Sequence, residues 1–542
     1  MRKMFLKYKW LNLFILIFIC LTSLAQVLAA LSLSSLLNTA LSKNLNLLFK
    51  SFILVFIMWM LYAAFEIIYG NLQAKCISKM NTDLRNQVTQ SIGCMSYEDF
   101  NKKDTGNYVS WYTNDINEIE NTAFKPVYSI IFKVVNLVFV VTAVTNIHYL
   151  ITITMIVAAA ILITAPKLFT KKISNLSFEQ SLNQEVFTKD IKDILSGFST
   201  LKVYNSLDIF NSKANKLSFS LESCRVRLIY LKNNVSFIIG VLNVICQLSC
   251  YFIAIYLVTI GKIEIGSILA VSNLSGNCFN SIKSMTSDLV TFSGGKKVFE
   301  KLDSLKKYSQ EKPLDLLTLD SFEKDITIEN LSYNYGDKQV LNNLNMVFEK
   351  GKKYALVGPS GCGKSTLLKI LIGHINDFSG NVFIGDHAIR DYDLKSIYNN
   401  FAYIDQNVYL FNSSVIDNIS VYKDDYSRVD LEKALMGSAL DDFIDSEKLE
   451  YNVGEAGKNL SGGQRQRISI ARALLNKKSV ILMDEGTSAL DKKNSYIIEE
   501  KLLKNPDITL VVVSHNINEN LIELFDDIYD LENLSKPQIG SS

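Results

Sequence analysis

Histidine is scarce in this chain, with four in 542 residues. No His/Cys cluster has zinc spacing, and no C-x-x-C pair occurs among the eight scattered cysteines. That sets aside a structural zinc site. Cys246 and Cys250 lie one helical turn apart in an apolar stretch and read as small packing residues, not as a disulfide. An excess of either charge is missing too: Lys and Arg total 56 against 54 for Asp and Glu, a formal net charge of +2. Without a global basic field there is no case for a nucleic-acid partner. What the chain has is apolar bulk, 48% hydrophobic with mean hydropathy +0.16. It is too long for one ordinary domain, and so much apolar content points to membrane spans.

Apolar runs fall near residues 11–37, 47–69, 127–147, 149–166, 235–260 and 265–290. As helices, each can cover the hydrocarbon core of about 30 Å. Helices are required there because lipid cannot satisfy a backbone amide. The last run is diluted by Ser, Asn and Lys. The first follows Arg2, Lys3, Lys7 and Lys9, as a signal peptide would, and Ser23-Leu24-Ala25 offers a cleavage-like site. The run continues well past that point, which favours an uncleaved span. Lys and Arg gather at the N-terminus and in residues 75–103 and 167–232. The connections near 42–46, 146–148 and 261–264 are short and carry little positive charge. The positive-inside rule then gives about six spans in the cytoplasmic membrane, with both termini in the cytoplasm.

The two long cytoplasmic connections keep apolar residues at three- and four-residue spacing across 72–92, 109–119 and 178–201. The spanning helices are therefore expected to continue far below the membrane. At the turning points lie residues 97–100 and 204–210, aromatic-acidic turns that could dock on another domain or be simple loop ends. Glu66 and Lys133 are the notable charges within spans. Both lie towards the cytoplasmic ends, where they can snorkel or sit beyond the lipid, so contact with a substrate is the lesser reading. Residues 306–321 are charged, contain Pro313, and read as a linker. It joins a membrane domain over 1–305 to a soluble α/β domain over 322–542.

In that second domain, Gly358-Pro359-Ser360-Gly361-Cys362-Gly363-Lys364-Ser365-Thr366 fits G-x-x-x-x-G-K-[ST]. The run 354–357 before it reads as a buried strand, and 367–372 after it as a helix. The glycines let a polyphosphate approach the backbone. Successive N–H groups and the helix start then face the anion. Lys364 sets a positive charge against the β- and γ-phosphates, and the Ser365 hydroxyl can ligate Mg²⁺. A glycine-rich turn that happens to hold Lys-Ser is the bland alternative, and the downstream residues oppose it. Tyr335, before the turn Gly336-Asp337, could stack on an adenine. Gln406, after the strand 401–404, can reach Mg²⁺ and an attacking water. Leu460-Ser461-Gly462-Gly463-Gln464 is a second glycine-rich turn opening a helix, hence a second anion site. The apolar run 480–483 ends in Asp484, suited to Mg²⁺, and Glu485, suited to act as general base or to position water. Asp491 follows shortly, and a last strand, 510–514, delivers His515 where it could contact a γ-phosphate. Residues 326–335 alternate apolar and polar, as an edge strand would.

These motifs, in this order and spacing, resemble the ATP-binding cassette (ABC) transporters of the exporter-type half-transporter group. The likeness covers the whole second domain, and the six-span layout with long intracellular helices covers the rest. It implies an α-helical membrane domain fused to an α/β P-loop NTPase domain, ATP and Mg²⁺ as cofactors, and hydrolysis coupled to transport. In the family two cassettes pair head to tail. Each ATP lies between the phosphate loop of one and the signature turn of the other, here Ser461 to Gln464, with the Asp491 loop nearby. One cassette per chain implies a second half-transporter, in a homodimer or with a related chain. The stretch around Glu455 resembles a feature of exporters, and residues 97–100 and 204–210 fall where the family has coupling helices.

Some residues depart from the family pattern. Cys362 replaces the commoner Ser, and Gly486 the usual Ala. The usual final helix is expected to be reduced after residue 531, and no peptidase domain is expected before the first span. Peptides, lipids and amphipathic drugs all suit the architecture as cargo. The apolar runs oppose a soluble cassette ATPase. An importer-like or regulatory membrane ATPase without export activity is the remaining alternative.

Overall fold

The computed structural model describes residues 2–303, 305, 307, 316–440, 446–514 and 517–534. Residues 306 and 308–315 of the expected linker lie outside them, as does His515. The chain forms two units, residues 1–94 with 104–309 and residues 95–103 with 310–542.

The first unit is helical. Its long helices are α1 (Lys9–Leu41), α2 (Leu45–Gly93), α3 (Thr105–Ile147), α4 (Tyr149–Thr164), α5 (Thr170–Ser196), α6 (Leu207–Thr259) and α7 (Ser267–Asp303). Four of these, α1, α2, α3 and α6, are long and apolar enough to cross a membrane. At 16 residues α4 is shorter, and α7 carries the diluting polar residues noted in the sequence. Both nonetheless complete the bundle. One core takes Ala30 from α1, Val144 from α3, Met155 from α4, Cys246 and Cys250 from α6, and Phe279 from α7. The two cysteines are thus packing residues. With 49 residues, α2 is roughly 74 Å long, more than twice a bilayer's hydrocarbon core. Its apolar window is wholly unburied within the unit, as a lipid-facing stretch should be. Asn44 starts it, its side chain accepting from the N–H groups of Asn46 and Leu47.

Breaks in the helices have local causes. Pro126 cannot donate to the preceding turn. Two π-helical turns, Trp111–Asp115 and Glu120–Phe124, lead up to it. Pro166 lies in the 3₁₀ turn that separates α4 from α5. Lys133 is paired within the bundle. Its Nζ meets Asp288 Oδ2 on α7 at 2.6 Å, with the two side chains only 14% and 24% exposed.

Among the described residues, the second unit holds two sheets. Strands β1 (Ile326–Tyr335), β2 (Lys338–Phe348), β4 (Ser379–Ile384) and β5 (His387–Ala388) form an antiparallel sheet in the order β2-β1-β4-β5. Strand β3 (Lys353–Val357) belongs to the other sheet and leads into the phosphate loop and α8 (Lys364–Leu371). A parallel sheet, in the order β6-β7-β8-β3-β9, adds β6 (Phe401–Ile404), β7 (Val480–Asp484), β8 (Thr509–Val513) and β9 (Asp527–Asp530). The expectation that residues 326–335 form an edge strand fails, since β1 pairs on both sides. Its alternation reports one solvated face of an antiparallel sheet, not a free edge. All five residues of β7 and of β8 are buried, as suits central parallel strands. Leu367, Leu368, Ile370 and Leu371 of α8 fill the core between the sheets. That packing fixes the helix whose N-terminus ends the phosphate loop.

Candidate nucleotide site

The loop between β3 and α8 turns sharply, and Gly363 shows why only glycine fits there. Its φ is 102°, and an added Cβ would meet the Leu341 side chain and lie 3.0 Å from the Val340 carbonyl. Lys364 is almost fully buried, and its ammonium donates to the carbonyls of Gly358 at 2.6 Å and Pro359 at 2.9 Å. The charge is therefore held against the loop it belongs to. A cleft of about 360 Å³ opens beside it. Its lining brings together Tyr335, Ser360, Gly361, Gly363, Lys364, Ser365, Thr366 and Glu485, with Lys338 as a second cation. Gly358, Pro359 and Cys362 shape the loop from behind, and the Cys362 sulfur lies 3.8 Å from Lys364 Nζ. Tyr335 is half exposed at the end of β1, its ring edge-on to Tyr333. It is placed where a flat ligand ring could stack.

The strand end beyond the loop supplies the carboxylates. Asp484 closes β7 and is 7% exposed, with Oδ2 accepting from the Tyr403 hydroxyl at 3.2 Å. Glu485 follows in the left-handed region, φ 51°, which strains a non-glycine backbone. Its carboxylate accepts from Gln406 Nε2 at 2.8 Å, so these two expected residues meet directly. Gln466 holds the turn after them. Its amide donates to the Glu485 carbonyl and the Ser488 hydroxyl and accepts from the Ala489 N–H. Among the described residues no group of three or more His, Cys, Asp or Glu side chains is gathered for a metal. The donors present, a hydroxyl at Ser365, an amide at Gln406 and a carboxylate at Asp484, suit a hard cation that also takes phosphate oxygens, as Mg²⁺ does.

The signature turn is elsewhere. Ser461 caps α9 (Gly462–Leu475), accepting from Gln464 N, while Gln464 Oε1 accepts from Ser461 N. This reciprocal box leaves the first N–H groups of a helix facing outward. Asp491 caps α10 (Lys492–Leu503), its carboxylate accepting from the N–H and the side-chain amide of Asn494. Hydrogen bonds from Asn494 hold its carboxyl below the usual carboxylate range. None of Ser461, Gly462, Gly463, Gln464 and Asp491 lines the cleft; nor do Gln406 and Asp484, but those two adjoin its Glu485, one by hydrogen bond and one as its chain neighbour.

Four residues that the structure makes prominent escaped sequence reasoning: Lys338, Tyr403, Gln466 and Asp288. A cation just after the Gly336-Asp337 turn was the one available signal for Lys338. The other three are defined by partners far along the chain.

A phosphate-loop site on a parallel sheet, joined in one chain to a bundle of membrane-length helices, defines an ATPase of the membrane-transport class. The family comparisons agree. Residues 13–282 match the ABC transporter transmembrane region and residues 341–488 match the ABC transporter domain. The chain belongs to the ABC transporters, as an exporter-type half-transporter that binds ATP and couples its hydrolysis to export. It is 27% identical to an ATP-dependent lipid A-core flippase of Photorhabdus laumondii over 475 residues, 85% of this chain and 81% of that one. A flippase of the same description from Salmonella typhimurium is 26% identical, over 80% of this chain and 75% of its own. Among solved structures, a bacterial Atm1-family ABC exporter with ATP bound superposes with a TM-score of 0.80. That match is 18% identical and covers 96% of this chain and 94% of the other.

Proposed function

We propose that two such chains pair in the cytoplasmic membrane, both termini inside, and move an amphipathic, lipid-like molecule outward. The observation that carries the pairing is the split site. The cleft holds the phosphate loop and Glu485, while the signature turn of the same chain lies outside its lining. A second cassette turned head to tail would bring its Ser461–Gln464 turn to each cleft. The lipid-like cargo is argued from the flippases that this chain resembles along most of its length.

In this reading the loop N–H groups and Lys364 bind the β- and γ-phosphates. Ser365 and Asp484 would hold Mg²⁺, which when bound neutralises phosphate charge. Gln406, fixed against Glu485, orients the attacking water, and Glu485 accepts its proton. His515 would reach the γ-phosphate. Closure of the cassettes around ATP and opening after hydrolysis give the membrane domain two states. Transport is directional because cargo and ATP favour different ones.

ATPase activity of the purified chain in lipid, wild type beside Glu485→Gln, tests the site. We expect strong wild-type turnover and a loss of about 100-fold or more in the variant, with ATP binding retained. Equal rates would remove Glu485 from the mechanism. No wild-type turnover despite ATP binding would point to a different partner half. Movement of a fluorescent lipid across proteoliposomes, compared with a peptide and a drug, tests the cargo.

A further inference from the structure

We propose that Tyr403 is a positioning residue for the divalent cation, holding the Asp484 carboxylate by one oxygen and leaving the other for the metal. The inference rests on Asp484 being the cation ligand.

Geometry carries it. Tyr403 is the third residue of β6, in parallel register with Leu482 of β7, two residues before Asp484. Its hydroxyl donates to Asp484 Oδ2 at 3.2 Å. Asp484 is buried, and this hydroxyl holds its carboxylate. A tyrosine hydroxyl has one hydrogen to donate, and here it goes to that oxygen. A hydroxyl that donates to one oxygen of a metal-binding carboxylate fixes the direction of the other.

The ring is itself held. His374 packs edge-on against it, centroids 5.9 Å apart and planes at 77°. His374 stacks in turn on Tyr97, 3.7 Å apart and 9° from parallel. Tyr97 opens the short helix Tyr97–Asn101, which belongs to the same unit as the cassette. Ser96 caps that helix, accepting from Asp99 N. His374 lies just beyond the C-terminal end of α8, the helix that carries Lys364 and Ser365 at its start. Tyr403 thus joins a ligand-bearing strand end to an aromatic stack beyond the C-terminal end of α8. Nothing in the sequence marks it: a tyrosine inside a short strand reads as core.

The test uses the full-length chain in nanodiscs with a non-hydrolysable ATP analogue, and reads Mn²⁺ binding by electron paramagnetic resonance. Nucleotide binding without metal is measured in parallel. Tyr403→Phe keeps the ring and removes only the hydroxyl. We expect its apparent Mn²⁺ dissociation constant to rise about tenfold, the low end of what loss of an outer-shell partner costs. Metal-free nucleotide affinity should stay at the wild-type value. His374→Ala, which loosens the ring but spares the hydroxyl, should shift the Mn²⁺ constant in the same direction by less. Asp484→Asn is the control for the site and should lose most metal binding. If Asp484→Asn loses Mn²⁺ while Tyr403→Phe binds it as wild type does, the role of Tyr403 is overturned and the site stands. If Asp484→Asn binds Mn²⁺ normally, the metal site itself is misassigned and the inference falls with it. If Tyr403→Phe weakens metal-free nucleotide binding equally, the tyrosine is only structural and the inference is again overturned.

Discussion

Asn418 offers the sharpest test of how the cassette holds the segment after Gln406. It lies in the helix Val415–Ser420 and is 0% exposed. Its Nδ2 donates to the Phe411 carbonyl at 3.0 Å, the Ser413 hydroxyl at 3.2 Å and the Ser414 carbonyl at 2.9 Å. Its Oδ1 accepts from the Phe411 N–H at 2.8 Å. The amide's two hydrogens are shared among those three acceptors, so Asn418→Ala removes about three bonds' worth. At about 1 kcal/mol net for each, the loss comes to about 3 kcal/mol. A tenfold change in an equilibrium takes about 1.4 kcal/mol, so local opening of residues 408–420 should become at least about 100-fold more frequent. Hydrogen exchange by mass spectrometry on the full chain reads this directly. Peptides over 408–420 should lose protection by that factor, while peptides over β3 and α8 keep theirs. Asn418→Asp keeps the shape and the Phe411 N–H contact but turns carboxylate oxygen towards two carbonyls. It should be at least as disruptive at neutral pH and partly recover as pH falls, because a protonated carboxyl can donate again. Protection within about threefold of wild type in Asn418→Ala would refute the argument, since those bonds would then carry almost no net free energy.

Other substitutions follow the same logic. Gly363→Ala forces a side chain into the left-handed region against Leu341 and Val340; it should cost at least about 1–2 kcal/mol and weaken ATP binding, read by thermal melting and nucleotide titration. Lys133→Met alone strands Asp288 in a half-buried site and should lower the melting temperature, whereas Lys133→Met with Asp288→Leu should recover most of the loss. Burial, and then Lys369, holds the His374 imidazole down at about 4 against 6.5 when free. The unfolded chain therefore takes up the proton first, and the stability His374 contributes is complete above pH 6.5 and lost as pH falls towards 4. His374→Phe should flatten the fall in melting temperature across that window.

How far the sequence could be read depended on the range of each interaction. Local motifs were legible: the phosphate loop needs its glycines, Lys364 and Ser365 within nine consecutive positions, and a strand and helix on either side confirm it. Long apolar runs were legible too, because membrane length is a local property. The misses are all pairings across the chain. Residues 326–335 alternate, but whether that strand is at an edge depends on β4, about fifty residues on. Lys133 was visible as a charge and Asp288 was not connected to it, because α7 reads only as a diluted apolar run. Tyr403 and Gln466 take their meaning from the register of β6 on β7 and the packing of α9 on the turn after Glu485.

The signature turn fits the proposed pairing of two chains. Ser461 and Gln464 spend their side chains on each other's backbone, so the box stiffens the helix start without using the inner N–H groups of the next residues. Gly463 has no room for more: an added Cβ would lie 3.0 Å from Leu490 and 3.3 Å from the Ala489 carbonyl. The turn is therefore packed tightly onto the segment that follows Glu485 on one side and open on the other. The same segment leads back to β7 and its own cleft, but the turn does not line that cleft. A capped helix start outside the lining of its own phosphate-loop cleft suits a nucleotide carried by another copy. On the proposed reading, each ATP then binds two chains at once, and losing its γ-phosphate loosens both.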